Sequence, residues 1–155
     1  MDMEEDEALA RVRAARVGRL ATVTPDGLPH VVPFVFAVVG GGAVGHGIGD
    51  GNKVTAYWVV DDKPKRTSNI QRLRNIERNP VVVFVVDEYD DDWERLWWVR
   101  CSGSARIVDD VVERRAALEA LGAKYPPYEA DPPSGRVVAI DIERITGWRA
   151  SETSA

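Results

Sequence analysis

Two segments in the second half of the chain are apolar on both faces of the strand that each one predicts. Residues 81–86 read Val-Val-Val-Phe-Val-Val and residues 96–99 read Leu-Trp-Trp-Val. Because side chains alternate between the two faces of a strand, Trp97 and Trp98 must point in opposite directions. The interior of a small barrel covers only one face, so the outward Trp and Val side chains need a second cover, either a helix or another copy of the chain. Of these two, we favour a homodimer.

The rest of the chain predicts a mainly β (α+β) protein. Residues 19–24 and 28–39 are rich in β-branched residues and flank Pro25-Asp26-Gly27, a turn sequence, so they predict a hairpin. Further strands are predicted at 53–60, 81–87, 96–108 and 136–149, and helices at 4–17, 68–79 and 110–124. Ser68 with Gln71, and Asp110 with Glu113, have capping-box spacing. Short turns between strands favour an antiparallel barrel of about six strands with flanking helices.

Three segments predict irregular structure. The glycine-rich stretch 45–51 matches neither the dinucleotide-binding pattern nor the phosphate-binding loop of nucleotide hydrolases. Residues 88–94 form an acidic loop, which we interpret as a solvated turn because the spacing fits no calcium loop. A run of prolines at 126, 127, 132 and 133 predicts a long loop.

Composition limits the classes of function. With 155 residues, the chain predicts a single domain over residues 1–150, followed by a disordered tail at 151–155. Cys101 is the only cysteine, which fits a reducing compartment and, with His30 and His46 as the only histidines, predicts no metal site. No apolar run reaches the roughly 20 residues that span a bilayer, and the N-terminus is acidic. We therefore expect a cytoplasmic protein that binds neither membranes nor nucleic acid.

A basic segment stands out within this acidic chain. Residues 63–78 hold six Lys and Arg side chains and one carboxylate, whereas the whole chain has a net charge of −5. Lys63, Lys65 and Arg66 precede a helix start where Thr67 or Ser68 adds a hydroxyl group. Unpaired N–H groups at a helix N-terminus attract anions, so the segment predicts a phosphate site. A solvated basic helix face is the alternative, although cations at this end oppose the helix dipole.

Pro33 lies in the middle of a predicted strand, His30-Val31-Val32-Pro33-Phe34-Val35-Phe36. Proline has no N–H group to donate to a neighbouring strand, so this strand must lie at an edge or contain a bulge. Backbone groups left free there can face the rim of a flat heterocycle, and an ordinary edge strand is the other interpretation.

These motifs together resemble the split-barrel family of pyridoxamine-phosphate oxidases. Leu20-Ala21-Thr22-Val23, Pro25-Asp26-Gly27 and Pro29-His30-Val31-Val32-Pro33 resemble its opening hairpin. A larger set of motifs resembles the actinobacterial branch of this family, which depends on the deazaflavin coenzyme F420. These motifs are Asp62-Lys63-Pro64-Lys65-Arg66-Thr67, Arg72-Leu73-Arg74-Asn75-Ile76, Asn79-Pro80, Asp87, Tyr89-Asp90, Asp92-Trp93, Arg95-Leu96-Trp97-Trp98-Val99-Arg100 and Thr146-Gly147-Trp148.

The resemblance implies a Greek-key split β-barrel homodimer with two cofactor sites at the subunit interface. It implies that Lys63, Lys65, Arg66 and Thr67 hold the cofactor phosphate, that Val32, Pro33, Val59 and Val60 border the ring, and that Trp97 or Trp98 closes the pocket from the partner chain. It further implies an oxidoreductase that transfers a hydride from reduced F420 to a quinone, enone or similar acceptor. An FMN-dependent oxidoreductase and a non-catalytic protein that binds F420, haem or a fatty ligand remain alternatives.

Overall fold

A computed structural model describes residues 1–41, 53–60 and 67–151, and for residues 67–69 it describes the backbone alone. The helices are α1 Glu5–Ala14, α2 Thr67–Arg78, α3 Val111–Lys124 and α4 Pro126–Ala130. The strands are β1 Gly18–Val23, β2 Pro29–Phe34, β3 Ala37–Gly40, β4 Val54–Val59, β5 Val81–Glu88, β6 Trp97–Ile107 and β7 Val137–Arg149. A turn of 3-10 helix, Trp93–Arg95, lies between β5 and β6.

The strands form one antiparallel sheet in the order β2-β1-β5-β6-β7-β4-β3. This arrangement confirms the mainly β split-barrel fold, with seven strands in the described part of the chain instead of about six. The sheet is not closed, and β2 and β3 are its two edges. The prediction that Pro33 belongs to an edge strand is therefore confirmed.

Two hydrophobic clusters hold the fold together. The first fills the barrel interior with residues such as Leu20, Trp58 and Phe84. The second lies on the outer face of the sheet beneath α3, where Leu121 packs among strand residues. All six residues of β4 are buried, because the barrel interior covers one of its faces and α3 covers the other.

The two neighbouring tryptophans lie on opposite faces of β6, as their sequence predicts. Trp97 packs against the barrel core and lies under Arg11 of α1, whose guanidinium carbon is 4.8 Å from the ring centroid. Trp98 pairs with Trp148 across the β6–β7 ladder and lies beside Arg100. Part of the outer face stays exposed, since Val31 and Val81 retain 59% and 58% of their accessible surface.

Two predictions about chain regularity are wrong. Residues 28–39 do not form one strand, because β2 ends at Phe34 and β3 begins at Ala37. The Phe36 backbone between them is held by distant side chains: Tyr125 Oη accepts from its N–H at 3.2 Å, and Lys124 Nζ donates to its carbonyl at 2.8 Å. The proline-rich segment also contains α4, since Pro126 occupies the first helical turn, where its missing N–H has no intrahelical acceptor.

Several predictions lie outside the described residues. They are the glycine-rich stretch 45–51 with His46, the cations at 63, 65 and 66, the capping side chain of Ser68, and most of the tail at 151–155. Within the ranges that are described, no helix is long and apolar enough to cross a bilayer.

A charged network attaches α3 to the sheet. Asp110 caps the helix by accepting from the Glu113 N–H at 2.9 Å, which confirms that half of the predicted capping box. The Glu113 carboxylate instead faces the sheet, where Arg106 Nη1 and Nη2 donate to it at 2.7 Å each and Tyr57 Oη donates at 2.7 Å. Arg106 Nε also donates to Asp141 at 2.7 Å. One guanidinium thus links β6, β7 and α3.

We predict that Glu113→Gln destabilises the protein in a pH-dependent manner. Hydrogen bonds from Arg106 lower the pKa of Glu113 from 4.5 to about 2, so its stabilising contribution is present above about pH 4.5 and lost as the pH falls toward 2. We expect the free energy of unfolding to fall by about 1–2 kcal/mol at pH 7. Urea denaturation at pH 7 and pH 3 should show this difference narrowing in acid. Glu119→Gln, an exposed position on the same helix, is the control; an equal loss at both pH values would contradict the network's role.

Cys101 should be chemically inert in the folded protein. Its side chain is fully buried in the barrel core, and burial raises its pKa to about 12, so almost no thiolate is present at pH 8. We predict that Ellman's reagent labels no thiol in native protein and one thiol per chain in guanidinium. Rapid labelling without denaturant would show that β6 opens locally.

Candidate functional site

The predicted phosphate site falls between two well-defined elements. β4 ends at Val59, buried on both faces, and α2 begins at Thr67 with no acidic residue in its first turn. Lys63, Lys65 and Arg66 lie outside the described residues, as does the Thr67 side chain. The described elements therefore fix what precedes and follows this cationic segment, namely a buried strand and a helix N-terminus, where N–H groups lack intrahelical partners.

The residues predicted to border the ring do not share one surface. Val60 packs in the barrel interior, whereas the Val59 side chain lies in the cluster beneath α3. Val32 is half-buried on the inner face of β2, and Pro33 is exposed on its outer face. Each pair thus offers one side chain to the barrel interior and the other to the opposite side of the sheet.

Helix α2 closes one end of the barrel with polar side chains. Arg72 is 8% exposed and lies over the Trp58 ring, 4.6 Å from its centroid, and burial lowers the pKa of this guanidinium. Asn75 is fully buried and donates to Thr22 Oγ1 at 2.8 Å. Arg72 is therefore part of the interior, whereas Arg74 and Arg78 on the same helix are exposed. The sequence places all three arginines on one helix but does not show which of them is buried.

Trp98 lines a cavity of about 500 Å³ on the outer face of the sheet, and Trp97, whose side chain packs toward the barrel core, borders it at the same end of β6. Trp148 and Tyr89 complete its aromatic wall. Pockets that bind small molecules usually occupy about 300–1,000 Å³ and combine apolar walls with a few polar groups. This cavity contains site residues predicted from sequence, and its size and lining suit a small molecule. It is therefore the candidate site.

Two charged residues, Asp87 and Arg100, also line this cavity. Asp87 lies 3.6 Å from Arg19 of β1, Oδ1 to Nη1, so its charge is balanced by a cation on a neighbouring strand. The Arg100 guanidinium carbon lies 5.4 Å from the Trp98 ring centroid. Over residues 1–41, 53–60 and 67–151, no carboxylate lies within ion-pair distance of Arg100.

The strand register connects the cavity to β2. Pro33 pairs with Arg19, Arg19 with Val85, and Val85 with Arg100. Pro33 and Arg100 thus lie on one row of the sheet, three strands and about 14 Å apart at the usual strand spacing. The structure places Pro33 and Trp98 on the same exposed face, and Val32 on the other.

The sequence did not single out Arg100, Asp87, Tyr89 or Trp148 as site residues. A signal was present for Arg100, because it follows Trp98 by two residues and therefore shares its face. Trp148 had no such signal, since its position opposite Trp98 depends on the register of β6 with β7, which includes a shift at Ser102 and Gly103.

A second cavity, of about 600 Å³, lies between α3 and α4. Leu118 and Tyr128 line it, and Arg114 at its rim donates to the carbonyl of Gly135 at 2.8 Å. It contains none of the predicted site residues, so its larger size does not make it the better candidate. Among the residues that can be placed, no three His, Cys, Asp or Glu side chains are grouped to hold a metal ion.

Comparison with known proteins identifies relatives of this fold. A conserved hypothetical protein from Mycobacterium tuberculosis is 25% identical with a TM-score of 0.70, and the match covers 96% of this chain and 86% of that one. An FAD-binding protein from Mycobacterium smegmatis is 20% identical with a TM-score of 0.62, covering 96% and 98%. A haem-binding protein from Mycobacterium smegmatis is 18% identical with a TM-score of 0.67, covering 96% and 55%.

No curated protein sequence matches the chain. The likenesses to the FAD-binding and haem-binding proteins are below 25% identity, so they demonstrate a shared fold and leave the ligand open. The sequence profile of the pyridoxamine 5'-phosphate oxidase family, however, matches residues 4–149, nearly the whole chain. The chain therefore belongs to the pyridoxamine 5'-phosphate oxidase family.

Proposed function

We propose that this protein is an oxidoreductase that transfers a hydride from reduced coenzyme F420 to an unsaturated small molecule such as a quinone or enone. The observation that carries the proposal is the order of elements on either side of the cationic segment. Lys63, Lys65 and Arg66 stand between a strand buried on both faces and the first residue of a twelve-residue helix, Thr67. This order suits the phosphodiester of a planar redox coenzyme.

The chain's own residues would bind and orient the reactants. The cations of this segment and the N–H groups of α2 would hold the phosphate. The aromatic cavity beside Trp98 and Trp148 is large enough for a planar acceptor. Bound F420 in its reduced form supplies a hydride from its C5 position. A proton from water or from a nearby side chain would complete reduction of the acceptor. No side chain needs to act as a nucleophile.

The proposed enzyme works as a homodimer with two coenzyme sites at the subunit interface. Val31 and Val81 are more than half exposed on the outer face of the sheet, and Trp98 and Trp148 are only partly covered. Among the described helices, α3 covers one part of the outer face. A second copy would bury the apolar surface that remains exposed. Trp98 of one copy would then close the coenzyme pocket, and Lys63, Lys65 and Arg66 of the other copy would hold the phosphate there.

FMN is the alternative coenzyme, supported by the shared fold of an FAD-binding protein. FMN and F420 both present a phosphate and a flat tricycle, so the cationic segment serves either one. F420 also has an acidic tail of lactate and glutamates. The exposed cations Arg74 and Arg78 lie further along α2 from this segment and are suited to receive that tail.

Replacing Lys65 and Arg66 together by alanine should abolish coenzyme binding. We expect at least a hundredfold rise in the F420 Kd, measured by fluorescence titration, because two charge-assisted contacts to the phosphate are lost. The Tm should stay unchanged, since such charges contribute little to stability. Arg115→Ala, an exposed cation on α3, should leave both values as they are. Unchanged affinity in the double variant would refute the phosphate site.

Replacing Arg74 and Arg78 together by glutamine separates F420 from FMN. We expect the Kd for F420 to rise about five- to tenfold while the Kd for FMN changes less than twofold, because only F420 has the acidic tail. Parallel titrations with both coenzymes measure the difference. Equal losses for the two would count against a tail site on α2, and tight FMN binding with no F420 binding would favour the alternative coenzyme.

A further inference from the structure

Among the described residues, one cation of the candidate cavity has no carboxylate within ion-pair distance. Asp87 lies 3.6 Å from Arg19, whereas the Arg100 guanidinium carbon lies 5.4 Å from the Trp98 ring centroid. Within the part of the chain that the structure describes, the charge of Arg100 is therefore not balanced by a carboxylate. An exposed cation beside a ring retains most of its capacity to bind an anion, because its attraction to the ring is weak.

The walls around this cation are flat and electron-rich. Trp98 and Trp148 occupy directly opposed positions on β6 and β7, where side chains of neighbouring strands are about 4.5–5.5 Å apart at Cβ. Tyr89 also lines the cavity. Indole rings stack well on flat aromatic ligands. The Arg100 guanidinium can meanwhile donate two parallel hydrogen bonds to a carboxylate or sulfonate.

We propose that this cavity selects acceptors that are planar aromatic anions, with the ring against the tryptophans and the anionic group on Arg100. The assignment of the ligand as a hydride acceptor rests on the proposed function, but its binding to the cavity does not. Arg100 acts here as a specificity-determining residue. It is distinct from Lys63, Lys65 and Arg66, which would hold the coenzyme phosphate.

The test uses two probes with the same ring and different charge. The full-length protein, without coenzyme, is titrated with 1,4-naphthoquinone-2-sulfonate and with its neutral analogue menadione, and quenching of tryptophan fluorescence is followed. The expected result is about tenfold tighter binding of the sulfonate, the gain of one charge-assisted contact. Equal affinity for the two probes would overturn the proposal. Failure of both to bind would overturn it too, because it would mean that another surface, such as a second copy, fills the cavity.

Variants of Arg100 then locate the preference. Arg100→Gln should weaken sulfonate binding about tenfold and leave menadione unchanged, and Arg100→Lys should retain most of the preference because it keeps the charge. Arg144→Gln is the matched control, since Arg144 is an exposed arginine on β7 that does not line the cavity. An equal effect of the Arg100 and Arg144 substitutions would reduce the preference to general surface charge and refute a specific role for Arg100.

A third titration separates this inference from the proposed function. Arg100→Gln should bind F420 with unchanged affinity, whereas the Lys65 and Arg66 double variant should lose F420 and keep its preference for the sulfonate. A fall in F420 affinity in Arg100→Gln would assign the cavity to the coenzyme and overturn the acceptor assignment. If the wild type binds no F420 and still prefers the sulfonate, the proposed function fails and the anion-selective cavity stands.

Discussion

The need to cover both faces of a strongly apolar sheet governs this structure. β4 satisfies it completely, because its side chains alternate between the barrel interior and the cluster beneath α3. The Arg106–Glu113–Tyr57 network holds α3 on that second face, with three contacts of 2.7 Å. Among the described helices, none covers the outer face around β2 and the start of β5, where Val31 and Val81 are exposed. The outer face is therefore covered beneath α3 and left open at this other end.

Alternation along strands is what the sequence reveals best. It predicted the opposite orientations of Trp97 and Trp98, and the proline in β2 predicted an edge, because both conclusions depend on local geometry alone. The break between β2 and β3 was missed because it depends on contacts with residues that are distant in sequence. Phe36 is held by Tyr125 and Lys124, which are 89 and 88 residues away in sequence, and no glycine or proline marks the position.

The candidate site was predictable to a similar degree. A cluster of cations before a helix is visible in the sequence, as are two adjacent tryptophans. Alternation along β4 separates Val59 from Val60, and packing of α2 over Trp58 buries Arg72. Other groupings depend on the register of paired strands. The same register joined Trp98 to Trp148 and placed Arg100 on the row that begins at Pro33. The register between strands that are not consecutive in the chain leaves no local signal in the sequence. These pairings could therefore be identified only from the structure.

One exposed face can serve both the proposed dimer and the cavity because its chemistry is not uniform. Val31 and Val81 present exposed aliphatic surface, which suits contact with a second copy. At the other end of β5, the face becomes aromatic and charged, with Asp87, Tyr89 and Arg100 around a concave surface. Burying Arg100 in a dry interface without an anion would cost several kcal/mol, since an isolated charge loses its hydration there. The proposed dimer would avoid this cost by leaving this end open to a ligand that brings the missing negative charge.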